Sequence, residues 1–141
     1  MAKTKLSSEL EEKIDGLMDD SNEKYDEGNY EESIAILEDA WNQLPEPKGD
    51  YSESYEIVMD ICETYILLEN YKKAKEWSEL IFNCALFRID SGEREFLAGK
   101  VAYESGDLEK AKEWFKIANE KSDGRCFGDS DKKYKKFFKS K

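Results

Sequence analysis

A seven-residue pattern occurs three times in the chain: GNYEESI at residues 28–34, ENYKKAK at 69–75 and GDLEKAK at 106–112. Each copy follows the same physical logic. Glycine, or a polar residue in its place, permits a tight turn. Asn29, Asn70 or Asp107 can then cap a new helix, Tyr30, Tyr71 or Leu108 anchors it, and Ser33, Ala74 or Ala111 is small enough for two helices to approach closely. Recurrent helix junctions imply stacked helical hairpins, because one hairpin cannot bury its apolar face alone. The copies are unevenly spaced, which the turn-rich loop PEPKGDY at 45–51 and a break at Asp90, Ser91 and Gly92 account for.

The apolar spacing places helices on both sides of each junction. Ser8 and Glu11 suggest a capping box, and Leu10, Ile14, Leu17, Met18 and Tyr25 share one face, predicting a helix over 8–27 that Gly28 stops. Tyr30, Ile34, Leu37, Trp41 and Leu44 form the seam of a second helix ending at Pro45. A third carries Tyr55, Val58, Met59, Ile61, Cys62, Tyr65 and Ile66, and a fourth carries Tyr71, Ala74, Trp77, Ile81, Phe82 and Ala85. Phe96, Leu97, Val101, Ala102 and Tyr103 mark a fifth; Leu108, Ala111, Trp114, Phe115 and Ala118 mark a sixth, with Gly124 as its C-cap. Asp129 or Ser130 would cap a last helix presenting Tyr134, Phe137 and Phe138. No segment alternates apolar and polar residues as a strand would, so the expected class is all-α.

With these residues in place the chain resembles the tetratricopeptide repeat family, whose helix-turn-helix unit reads Trp-x2-Leu-Gly-x2-Tyr, then Ala-x3-Phe, then Ala and Pro. The third repeat supplies Gly99, Ala111, Phe115 and Ala118. The second supplies Val58, Ile61, Cys62, Tyr65, Ala74 and Ile81, and the first Leu17, Ser21, Ser33, Leu37, Ala40 and Pro45. Asp20, Lys24, Ser78 and Asp123 depart from the pattern. The resemblance covers residues 14–123 and implies one domain over 1–141: a right-handed superhelical array of three repeats (8–45, 52–89 and 92–123) with a basic capping helix over 129–141. It also implies a concave groove lined by the first helix of each pair. That groove would present Asp15, Met18, Asn22, Tyr25 and Asp26, then Glu56, Met59, Glu63 and Ile66, then Glu93, Phe96, Lys100, Tyr103 and Glu104. Family members that clamp acidic chaperone tails use Lys, Arg and Asn there, and only Asn22 and Lys100 match, so no such binding is expected. Tyr65, Phe96 and Tyr103 also have a plain reading as core residues.

Charge and composition narrow the chemistry. The chain has 33 acidic and 22 basic residues, for a net charge of -11. Six lysines fall in the last ten residues, KKYKKFFKSK, and the acid excess is concentrated before residue 57. Such a surface repels nucleic acid and anionic lipid and attracts basic protein surfaces, although acidic helix faces also simply keep a protein soluble. The absence of histidine excludes Ser/His/Asp and Cys/His catalysis and His-containing zinc sites. Cys62, Cys84 and Cys126 form neither a disulfide framework nor a metal knuckle, and fit reduced thiols in the cytoplasm. The run DDSNEKY from Asp19 looks like a calcium loop but has Lys24 where glycine is needed and Tyr30 at the closing position. Arg125 could lower the Cys126 thiol pKa, but neither a base nor a second cysteine accompanies it. Lysines interleaved with aromatics in the tail occur in single-strand nucleic acid binders and membrane-surface helices, and the acidity of the remainder weighs against both. No apolar run is long enough to span a bilayer, and no signal sequence is evident.

The expectation is a cytoplasmic, non-enzymatic protein, monomeric or weakly dimeric, without cofactor or metal. It would bind a basic, partly apolar protein partner through an acidic and aromatic groove, and neither nucleic acid nor membrane. The most specific form is a bacterial immunity-type protein that neutralises a basic toxin domain; its size, charge and lack of catalytic residues fit many adaptors equally. The alternative is a regulatory or assembly adaptor whose Lys-rich C-terminal helix is the contact element.

Overall fold

Each of the three repeated junctions turns the chain between two paired helices. The structure, a computed structural model, describes residues 5–84, 92–128 and 131–140. Among these, α1 (Ser8–Asp26), α2 (Tyr30–Gln43), α3 (Ser52–Leu67), α4 (Tyr71–Leu80), α5 (Glu93–Glu104), α6 (Leu108–Ser122) and α7 (Lys132–Lys139) are α-helices, short 3-10 turns cover Lys48–Asp50 and Ile81–Asn83, and no strand occurs. The chain divides into two compact units, residues 1–87 and 88–141. The first packs α1 on α2, α2 on α3 and α3 on α4; the second packs α5 on α6, with α7 added.

The three turns share their hydrogen bonds. The N–H groups of Gly28, Glu69 and Gly106 donate to the carbonyls of Tyr25, Ile66 and Tyr103 at 3.0, 3.0 and 3.1 Å, and those of Asn29, Asn70 and Asp107 reach back to Lys24, Tyr65 and Ala102 at 2.8, 2.9 and 2.9 Å. This geometry requires a left-handed residue just past the helix. Gly28 and Gly106 adopt it at φ +82 and +87, and Glu69 adopts it at φ 58 despite its side chain. Asn70 and Asp107 then cap α4 and α6, their Oδ1 atoms accepting the N–H of Lys73 and Lys110 at 3.3 Å. Asn29 makes no such bond.

Each hairpin crosses where both helices carry small groups. Ser21 meets Ser33 through reciprocal hydrogen bonds, with the hydroxyls 2.7 Å apart and each donating to the other's backbone carbonyl at 3.0 Å. In the second hairpin the Cys62 thiol donates to the Ala74 carbonyl at 3.6 Å. In the third, a Cβ placed on Gly99 would come within 2.5 Å of the Phe115 ring. The first two crossings are thus closed by different hydrogen bonds, and the third hairpin makes room for a ring at Gly99. Ile14, Ile34, Leu37, Ile57 and Ile61 form the apolar interior of the first unit. In the second, Phe96, Ala111 and Phe115 pack with Tyr134, Phe127, Phe137 and Phe138.

Several boundaries differ from expectation. Ser7 rather than Ser8 caps α1, its Oγ accepting the Leu10 N–H at 3.3 Å while its own backbone stays extended. Helix α2 stops at Gln43 because Leu44, preceding Pro45, is pushed into an extended conformation. Lys48 then donates to the carbonyls of Trp41 and Leu44 at 3.0 and 2.8 Å, the first of which also accepts the Leu44 N–H. Asp123 takes the left-handed position ending α6, and the N–H of Gly124 reaches back to Asn119 at 2.9 Å. Asp131 immediately precedes α7. The expected positions of Ala85, Asp90, Ser91, Asp129 and Ser130 lie outside the described residues.

Glu69→Gly should raise stability by about 0.5 to 1 kcal/mol by relieving a left-handed side chain, while Gly106→Ala should lower it by about 1 kcal/mol although its Cβ meets nothing within 4 Å. Gly99→Ala should cost about 1 to 3 kcal/mol through overpacking against Phe115. Urea unfolding monitored by helical circular dichroism measures all three.

Candidate protein-binding cleft

In the first unit α1, α2 and α3 enclose a cleft of about 300 Å³. Its lining comprises Ser21, Asn22 and Tyr25 from α1, Ser33 and Leu37 from α2, and Asp60, Glu63 and Thr64 from α3. The floor follows from the crossing already described. Ser21 and Ser33 satisfy each other, so they offer a sealed polar base rather than free donors. Thr64 commits its hydroxyl to the Asp60 carbonyl at 2.7 Å. Tyr25 forms part of the wall, its ring set edge-on to Tyr30 at 5.1 Å between centroids, and remains 39% exposed.

The electrostatics of the lining are one-sided. Among the described residues it contains two carboxylates, Asp60 and Glu63, and no basic side chain. Partial burial, reinforced by Glu56 and Glu63, raises the Asp60 carboxyl pKa to about 6. Burial also raises the Tyr25 phenol pKa, with Tyr30, Glu63, Asp60 and Asp26 adding to the effect. Both shifts disfavour added negative charge, so a cation seated here would lower both.

Of the fourteen residues expected to line the groove, Asn22, Tyr25 and Glu63 come together in this cleft. Asp26 and Glu56 lie exposed outside the lining and contribute to its field. Asp15 is exposed on α1 and away from the lining. Met18 is half-buried against the apolar interior, and Met59 and Ile66 are half-buried on α3 without lining the cleft.

The remaining five are in the second unit: Glu93 is exposed at the start of α5, Glu104 is half-buried beside α7, and Phe96, Lys100 and Tyr103 offer no open wall. Phe96 and Lys100 are buried at 8% and 7% exposure, with the Lys100 ammonium 5.0 Å from the centre of the Phe96 ring. Tyr103 is half-buried, its ring 5.5 Å from that of Tyr134 and 4.9 Å from that of Phe137. Helix α7 therefore covers the surface that the resemblance leaves open. Its position is reinforced by Glu104, which accepts the Tyr134 hydroxyl at 3.0 Å and pairs with Lys133.

Asp60 was missed by the sequence reading, which followed the 56, 59, 63, 66 stripe of α3. Residues 56, 60 and 63 also share a helix face, and that spacing could have revealed it. Tyr65, read equally as core, is half-buried against the first unit's interior, its hydroxyl 3.4 Å from Glu38. The proposed activation of Cys126 is reversed: burial pushes its thiol pKa up, and Arg125 donates from Nε to the Ser122 carbonyl at 3.0 Å. Among the described residues no three His, Cys, Asp or Glu side chains converge to hold a metal ion, and no helix is long and apolar enough to cross a membrane. No protein-family model matches the chain, and no curated protein sequence matches it either.

Because the raised Asp60 pKa makes the folded state hold a proton that the unfolded chain releases, Asp60 opposes folding increasingly as pH rises from about 4 to 6. Asp60→Asn should therefore stabilise the protein at neutral pH by on the order of 1 kcal/mol, a figure reduced by solvent screening because this side chain is only partly buried, and by nothing near pH 4. Unfolding midpoints measured across this pH range check the sign.

Proposed function

We propose that this chain is a non-enzymatic protein-binding domain of stacked helical hairpins, resembling the tetratricopeptide repeats, and that it accepts a basic, partly apolar segment of a partner protein. The observation that carries this reading is the α1–α2–α3 cleft, where the exposed Tyr25 ring provides apolar contact above the buried Leu37, and Asp60 and Glu63 are the charged side chains of the lining among the described residues. Apolar burial would supply affinity there, and opposite charge would supply steering and selectivity. The shared turn hydrogen bonds support the repeat assignment. In its most specific form the partner is a basic toxin domain, held by an immunity-type protein acting in the cytoplasm.

A second reading, the adaptor that contacts its partner through the C-terminal helix, is favoured by α7 itself. Tyr134 anchors that helix inward, and its lysines remain exposed.

A fluorescent peptide alternating arginine with leucine should bind at low salt and weaken at least about tenfold at high salt. It should also bind less tightly at pH 5 than at pH 7.5, as Asp60 takes up a proton. Tyr25→Ala with Glu63→Gln should abolish binding without unfolding the chain. Equal binding of an acidic peptide, or affinity unchanged by salt, would refute the reading.

A further inference from the structure

Helix α7 separates its two kinds of residue, with Lys133 reaching back to Glu104 and over the Tyr134 ring. Tyr134, Phe137 and Phe138 pack into the aromatic interior of the second unit, while Lys132, Lys133, Lys135, Lys136 and Lys139 are exposed. Successive 100° steps around the helix put the three aromatics on one side and all five lysines on the opposite arc. With Tyr134 buried and Phe137 and Phe138 packed against the interior, α7 presents little aromatic face to stack on bases or to enter a bilayer. Residues 1–131 hold 33 acidic against 16 basic side chains, so an extended polyanion would be repelled beyond the footprint of this one helix. The lysine face therefore fits a compact acidic protein surface.

One such surface belongs to the chain itself. We propose that α7 of one copy docks on the α1–α2–α3 cleft of a second copy, its lysines facing Asp60 and Glu63. The inference rests on reading that cleft as an acceptor of cationic side chains. It adds that the chain carries its own competing ligand, so self-association and partner binding exclude each other at the cleft. Asp60 and the α7 lysines are solvent-exposed, Glu63 is half-buried, and the whole chain has a net charge of -11, which makes the association weak and strongly dependent on salt.

Sedimentation equilibrium on the full chain tests this with two charge-reversed variants. Lys132→Glu/Lys135→Glu places acids in the first turns of α7, where the helix dipole favours them, so loss of association is not loss of the helix. Asp60→Lys/Glu63→Lys reverses the cleft, and circular dichroism verifies that both variants fold. The wild type should associate in a concentration-dependent way at low salt and become monomeric at high salt. Each variant alone should be monomeric. An equimolar mixture should recover association, at least about tenfold tighter than either variant alone, because the native cleft of one variant then meets the native helix of the other. A wild type that stays monomeric at low salt, or a mixture that recovers nothing, overturns the proposal. If the Lys132→Glu/Lys135→Glu variant still binds the arginine–leucine peptide while the wild type fails to self-associate, this inference falls and the cleft reading stands; loss of peptide binding by the wild type removes both.

Discussion

Two helices joined by a short turn can lie against each other only where neither presents bulk at the crossing. Here that constraint is met at Ser21 with Ser33 and at Cys62 with Ala74, while in the third hairpin the missing side chain of Gly99 makes room for the Phe115 ring. The first pair removes two polar groups from water and satisfies both, whereas the third uses the absence of a side chain. Placement of the cleft depends on the first solution. The Ser21–Ser33 contact draws α1 onto α2 and forms the cleft floor, and the packing of α2 against α3 brings Asp60 and Glu63 to its opposite side.

Charge is the second organising element. Acidic residues dominate the early part of the chain, and the structure gathers Asp60 and Glu63 in one cleft with Glu56 close enough to affect the Asp60 carboxyl. The ionised cleft is therefore less stable than it would be with a cation present, which is the physical content of a binding preference. The lysines of α7 carry the opposite charge on a helix held by aromatic packing, so the helix stays folded while its basic face remains in water.

Much of the helical layout was legible because it is local. The 28–34, 69–75 and 106–112 junctions announced the turns, and their hydrogen bonds follow one pattern. Small errors arose where neighbouring residues compete for one role, as with Ser7 and Ser8, or Asp123 and Gly124. The site was legible only in part. Asn22, Tyr25 and Glu63 could be named from helix periodicity, but the cover over Phe96 and Tyr103 depends on where α7 packs, a contact between residues far apart in sequence. Asp60 escaped because helix periodicity allows two adjacent stripes on α3, and only the packing of α1 and α2 selects between them.

The most direct measurement of the central claim is an amide-resolved nuclear magnetic resonance titration of the isotopically labelled chain with the arginine–leucine peptide. The account predicts saturable shifts concentrated at Ser21, Asn22, Tyr25, Asp60, Glu63 and Thr64, with Phe96 and Tyr103 unmoved. Shifts centred on α5, or uniform small shifts across acidic residues throughout the chain, would contradict it.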